Sequence, residues 1–251
     1  QVPKLLLNSI LIARACGNKG ITVLCQSPDF YQPSDRLVSA LLTLNNGLVL
    51  SLATTPYLKF FPHKRVLGPT SPPPLKRNFC SIEKISKEHR QIDINIGGSL
   101  YEPRKSFYEK IYNEMSTRKY NCLFKEKNQN YKYDAYIYDL QNSKISIITT
   151  CYSGDEKLRQ LQGKITEATA AGALVFVQDC EAVREVFQPW KNYVPFDSLD
   201  DVDGITNLLG YYLDNEAERV RIALGGYQIM KDYLEQNRPW TCVNKWFNEY
   251  P

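Results

Sequence analysis

The sequence predicts an α/β protein built on parallel sheets, and three observations carry that prediction. Strand-like and helix-like stretches alternate along most of the chain. The strand candidates "KISIITTCY" (144–152) and "ALVFVQ" (173–178) are near-continuous apolar runs, without the polar alternation of a half-exposed strand. Glycines stand where a strand runs into a helix, as in "IDINIGGS" (92–99). Continuous apolar strands are buried on both faces, which requires helices on each side of the sheet.

Residues 4–18 read as a helix with Leu5 and Ile12 on one face, ended by Gly17 and Gly20. "ITVLCQ" (21–26) follows as a strand. Residues 33–47 form a second helix, capped by Ser34 or Asp35, striped by Leu37, Leu41 and Leu44, and stopped by Asn-Asn-Gly. "LVLSLAT" (48–54) is the next strand. From 56 to 78 prolines remove donors and fix φ, so this stretch reads as a loop or linker. A strand over 92–97 then runs into glycines, and the helix 102–115 carries Pro103 in its first turn. A strand (121–124), a helical stretch (133–143), the buried strand 144–152 and a short alanine-rich helix follow. After these come the strand 173–178, the segments 180–187 and 193–197, and helices over 200–214 and 216–235. The expected division is a small α/β lobe over 1–88 and a larger one over 92–235, with a last helix (238–251) packing back on the first lobe. The chain begins with Gln1, which reads as a domain of a longer polypeptide with further domains.

Composition excludes several classes. The chain has 251 residues, 43% hydrophobic and 23% charged, as in ordinary globular proteins. Its net charge of +4 comes from 31 basic and 27 acidic residues, interspersed. That is no basic field for nucleic acid, and it leaves room for a small anion. Seven cysteines without a C-x-x-C pair argue against a disulfide scaffold or zinc ribbon and fit a reducing, cytoplasmic setting. His63 and His89 are too few and too far apart for a histidine metal site. No run approaches the roughly 18 apolar residues of a membrane span. "KLLLNSILIARACG" passes for a signal segment, but Arg14 and Asn8-Ser9 favour an amphipathic helix.

In open α/β sheets, ligands bind beyond the carboxyl ends of the strands. Three such places stand out. In "GGSLYEPR", Gly97 and Gly98 allow close backbone approach, and Ser99 with Arg104 fit a phosphate or the facing lobe. "TTCYSGDEK", with Thr150 and Tyr152, is rich in hydroxyls. In "GKITEATAAG", helical counting puts Leu158, Leu161, Ile165 and Ala168 on one face. Gln160, Gly163, Lys164, Glu167 and Ala171 fall opposite. A cation at a helix N-terminus suits a diphosphate, and a carboxylate one turn on suits a sugar diol. Against this, Lys164 and Glu167 also fit a surface i, i+3 ion pair.

"KITEATAAGALVFVQD", followed by "REVFQPWKNYVPFDSLDDVDGITNLLGYYLDNEAERVRIALGGYQIM", resembles the C-terminal half of GT-B glycosyltransferases. The likeness is to the family-1-like group with spore-maturation-type proteins, and more distantly to exostosin-type transferases, over about residues 92–250. It implies two Rossmann-like lobes with a reduced N-terminal lobe on the acceptor side and a nucleotide-sugar donor lobe over 92–235. It implies that Glu167 binds the donor ribose and that Lys164 contacts the diphosphate, with Gly98, Ser99, Thr150, Tyr152 and Gly163 around the donor. Arg104 and Lys164 then serve catalysis by neutralising the leaving diphosphate. UDP is the first expectation for the donor nucleotide and GDP the second, with no metal or other cofactor required. The acceptor would be a glycan or glycoprotein hydroxyl. The family's frequent E-x7-E pattern is not met, because Arg159 holds its first position.

Other readings compete. Asp201-Val202-Asp203 spells the D-x-D of metal-dependent GT-A transferases, though it also opens a helix, where acidic residues suit the macrodipole. A non-catalytic nucleotide- or glycan-binding module of a larger protein is a further alternative. Asp29 and His63 are candidate general bases toward an acceptor hydroxyl. Trp240, Trp246 and Phe247 fit either sugar stacking or a core face.

Overall fold

In the computed structural model, the described residues are 74–86, 90–126, 132–152, 155–236 and 238–249, together with three strands near the N-terminus. Asp29, His63, His89 and the helices expected over 4–18 and 33–47 lie outside them. By contact the chain divides into two compact units, Gln1–Pro72 with Asn237–Pro251, and Pro73–Gln236.

The first unit holds a parallel three-stranded sheet of β1 (Val23–Ser27), β2 (Gly47–Ser51) and β3 (Val66–Leu67), in that order. The pair Val66–Leu67 is extended and paired inside the stretch expected to be loop.

The second unit begins at Pro73, ahead of the expected lobe start at 92. The short helix α1 (Ile82–Ser86) joins it because Cys80 and Ile85 are buried in its core. Arg90 fastens the same segment, its Nη1 donating to the Ser143 carbonyl at 2.7 Å and its Nη2 to that of Ala171 at 3.2 Å.

Five parallel strands follow in the chain: β4 (Ile92–Gly98), β5 (Cys122–Glu126), β6 (Ser143–Ile148), β9 (Leu174–Gln178) and β10 (Val194–Phe196). Between the third and fourth lies the antiparallel hairpin β7 (Cys151–Tyr152) and β8 (Asp155–Arg159). The helices are α2 (Arg104–Thr117), α3 (Tyr133–Gln141), α4 (Gly163–Ala170), α5 (Glu181–Arg184), α6 (Val202–Asp214) and α7 (Glu216–Glu235). The last helix, α8 (Arg238–Glu249), falls in the first unit.

The strand order is β10-β9-β6-β4-β5. Successive side chains of one strand feed two cores, as the continuous apolar runs require. From β9, Leu174 and Phe176 join Phe107, Ile111 and Met115 of α2 with Ile205 and Leu209 of α6. Val175 and Val177 join Ile137 and Leu140 of α3 with Ile165 and Ala168 of α4. The chain leaves β4 toward β5 and returns to β6 on the other side. β4 and β6 are therefore the switch point of the sheet, where a crevice opens at the carboxyl ends.

The start of a helix differs from expectation as well. Helix α4 starts only at Gly163, so Leu158 belongs to β8 and not to the helical stripe. Leu161, Ile165 and Ala168 are buried, but so is Ala171, which helical counting placed on the polar face. Among the described residues, no helix is long and apolar enough to cross a membrane.

Candidate functional site

A cavity of about 380 Å³ opens at the switch point, between the ends of β4 and β6 and the start of α4. Gly97, Gly98 and Ser99 form one wall, Thr149 and Arg104 another, and Gly163, Lys164 and Glu167 a third, with Tyr133 and Tyr136 beside the carboxylate. Two glycines are required here. A Cβ on Gly97 would lie 2.6 Å from the Lys125 carbonyl oxygen across the sheet, and Gly98 adopts φ +132° as the chain turns out of β4.

Lys164 is held in the cavity with its Nζ donating to the Gly97 carbonyl at 2.7 Å. Burial of the ammonium, and next the neighbouring Arg104 charge, push its pKa down to about 7, against the pull of Glu167. The Arg104 guanidinium is itself buried. Its Nε donates to Thr149 Oγ1 and its Nη2 to the Cys151 carbonyl at 2.9 Å, and its face lies 4.3 Å from the centre of the Tyr101 ring. Arg104 thus fastens the loop after β6 while its charge reaches Lys164. The preceding residue of α4, Gln162, provides no side-chain cap, so the first-turn N–H groups lack that acceptor. Two close cations and an uncapped helix N-terminus suit an anion.

Glu167 stands one turn further along α4. Its Oε1 accepts from the Tyr133 hydroxyl at 3.0 Å and its Oε2 from the Tyr136 hydroxyl at 2.9 Å. It faces the crevice and is no surface ion pair with Lys164.

Of the residues expected from sequence, Gly98, Ser99, Arg104, Gly163, Lys164 and Glu167 meet at this one cavity. Thr150 does not. It is fully buried, with its hydroxyl donating to the Gln178 carbonyl at 2.8 Å, and its neighbour Thr149 faces the cavity instead. β6 ends at Ile148, so both threonines lie beyond the strand and its ladder does not fix which one points where. The Tyr152 side chain lies outside the described residues.

Tyr133, Tyr136 and Gln178 contribute in addition to the expected residues and Thr149. Tyr133 and Tyr136, three apart on the helix after β5, follow a carboxyl strand end, the same positional signal that marked the other segments. Gln178 closes β9, and its Oε1 accepts from the N–H groups of Thr150 and Cys151, both at 3.1 Å, which fixes the loop behind the cavity.

Two other motifs are absorbed structurally. Asp201 is the N-cap of α6, its Oδ1 accepting from the Gly204 N–H at 3.1 Å, and Asp203 sits in the first turn. Arg159 pairs with Asp197 at 2.7 Å and donates to the Asp179 carbonyl at 2.8 Å. Trp240 and Phe247 are exposed on α8, and the Trp246 side chain lies outside the described residues.

A parallel sheet of this order, with a cation-lined cavity at its switch point, defines a Rossmann-like ligand-binding lobe. Residues 77–239 match the family model described as glycosyl transferase-like, and the chain belongs to that family. It is a glycosyltransferase of the GT-B fold, not the GT-A fold to which the D-x-D reading belongs. Similar solved structures include Alr3699/HepE of Anabaena in complex with UDP, at TM-score 0.61 and 12% identity, covering 95% of this chain and 77% of that one. An α1,3-fucosyltransferase with GDP-fucose gives TM-score 0.51 and 11% identity over 87% of this chain and 74% of that one. Sucrose-phosphate synthase of Thermosynechococcus elongatus gives 0.55 and 10% over 96% and 72%. No curated protein matches the sequence. The spore-maturation-type subgroup has no support among these relatives.

Proposed function

We propose that this protein moves a sugar from a nucleotide-diphosphate sugar to a glycan hydroxyl without needing a metal. In this reading Pro73–Gln236 is the donor lobe and the first unit the acceptor side. The observation that carries it is the Lys164 ammonium, held in a cavity beside a second cation and an uncapped helix start. Such a group is out of balance until an anion arrives. A diphosphate supplies that anion, and Glu167 is one helical turn away to accept the ribose hydroxyls. During transfer, Lys164, the charge of Arg104 and the start of α4 stabilise the negative charge that develops on the departing diphosphate. Gly98, Ser99 and Gly163 present backbone close to it. UDP is the first candidate nucleotide and GDP the second, since the similar structures were solved with UDP and with GDP-fucose.

Thermal melts in EDTA with UDP-, GDP-, ADP- and dTDP-sugars test the reading. At least one donor should raise the melting temperature, and Glu167→Ala should remove that rise with little change in the unliganded melt. A rise only with added metal, or an undiminished response in the variant, would count against it. Slow hydrolysis of the bound donor separates an enzyme from a binding module.

A further inference from the structure

Glu167 does not stand alone in the cavity. Each of its carboxylate oxygens accepts one phenol hydrogen bond, from Tyr133 on Oε1 and from Tyr136 on Oε2. A carboxylate offers about four acceptor positions, two on each oxygen. The phenols take one on each and leave one on each, the pattern that a vicinal diol fills with its two hydroxyls. Both rings belong to α3, and their centroids lie 6.0 Å apart. Both hydroxyls therefore come from one rigid element, three residues apart.

Tyr133 is itself held. Its hydroxyl oxygen accepts from Asn78 Nδ2 at 2.9 Å, and Asn78 is fully buried. The carbonyl of Asn78 accepts in turn from Gln141 Nε2 at 3.2 Å, at the far end of α3. The Arg77 guanidinium lies 5.0 Å from the Tyr133 ring centre. A phenol has one proton to give. With Asn78 donating to the Tyr133 oxygen, that proton is directed at Glu167. Burial and the adjacent carboxylate hold the Tyr133 pKa above its ordinary value, so the proton stays in place at neutral pH.

We infer that Tyr133 and Tyr136 are positioning residues that hold the Glu167 carboxylate in the orientation that reads the vicinal hydroxyls of the donor's ribose, with Asn78 as the outer link. Without them, the side chain of Glu167 would sample several rotamers and meet a diol with one oxygen at a time. The inference rests on the diol role proposed for Glu167. It adds the residues that set how strongly the site prefers ribose to deoxyribose.

The test is the ratio of dissociation constants for 2′-deoxy-UDP and UDP, or the GDP pair if the donor panel selects GDP. It is measured by calorimetry on the whole chain and on Tyr133→Phe, Tyr136→Phe and the double variant. Wild type should prefer the ribonucleotide by roughly tenfold or more, as a charged acceptor losing a hydroxyl partner implies. Each Phe variant should lower that preference, and the double variant should bring it close to unity, as Glu167→Gln should also do. A purely structural role for the tyrosines would lower the unliganded melting temperature and leave the ratio unchanged, which overturns the inference while the diol role of Glu167 stands. Tighter UDP binding in the variants would make the phenols competitors of the ribose and overturns it too. A wild type that binds no nucleotide, or shows no ribose preference, overturns the diol role and this inference with it.

Discussion

Lys164 links the chemistry of the site to pH. In the folded chain its pKa is down to about 7, while in the unfolded chain it keeps the ordinary lysine value. Between these values the unfolded chain binds a proton that the folded one does not, so this residue makes stability rise with pH across that window. Binding has the opposite sign. A diphosphate beside the amine favours the ammonium, so above about pH 7 the nucleotide binds with uptake of a proton. Affinity for UDP should therefore fall between about pH 7 and 9, by at most roughly tenfold per unit, the limit for one proton. The terminal phosphate is already ionised there, with a pKa of about 6. Calorimetry in two buffers of different ionisation enthalpy would show the uptake, and Lys164→Met should bind weakly and lose the pH dependence. An affinity that is flat or rising with pH in the wild type would contradict this assignment. Lys164 and Glu167 were legible in the sequence because three-residue spacing puts them on one helix face at a strand's end. The tyrosines that hold Glu167 were not, because they meet it only through the packing of α3 on α4. Thr149 and Thr150 show the same boundary at finer grain, since their partners Arg104 and Gln178 decide which hydroxyl faces the cavity.

At the scale of elements, β6 and β9 were readable because each feeds two cores, and a residue run that is apolar on both faces has few other uses. The start of α4 was misread for the converse reason. An eight-residue helix offers two turns, too few for periodicity to mark its first residue, and Leu158 in the preceding strand fits the helical spacing by coincidence. What the sequence did mark was the glycine pair ending β4. Gly97 lets β4 and β5 approach, and its carbonyl also receives the Lys164 ammonium. Gly97→Ala would set a Cβ against a backbone oxygen that cannot rotate away. It should cost about 1–3 kcal/mol, lowering the melting temperature by several degrees. Because the strand end must shift, UDP affinity should fall in the same variant. The serine substitution at Gly98, whose φ of +132° is strained for any side chain although its surroundings are open, should lower stability without a steric clash. A Gly97→Ala protein as stable as wild type would mean that the β4–β5 spacing is softer than described.

For the whole molecule, the question is which part carries donor recognition. Among the described residues, both hydrophobic clusters and every residue lining the cavity lie between Pro73 and Gln236. A segment with its own sheet, two covered faces and this pocket has what an independent domain needs. Removing Gln1–Pro72 and Asn237–Pro251 should therefore leave a fragment that melts in one transition. The nucleotide that shifts the full chain should shift the fragment to a similar extent, because all the described lining residues are kept. Transfer should behave differently. With the first unit proposed as the acceptor side, the fragment has nothing to hold an acceptor hydroxyl over the donor or to keep water out, so it should bind donor and release at most hydrolysed sugar. Thermal melts and product analysis on the same preparation distinguish the outcomes. A folded fragment that no longer answers the nucleotide would move donor recognition outside the second unit. A fragment that still glycosylates an acceptor would remove the role proposed for the first.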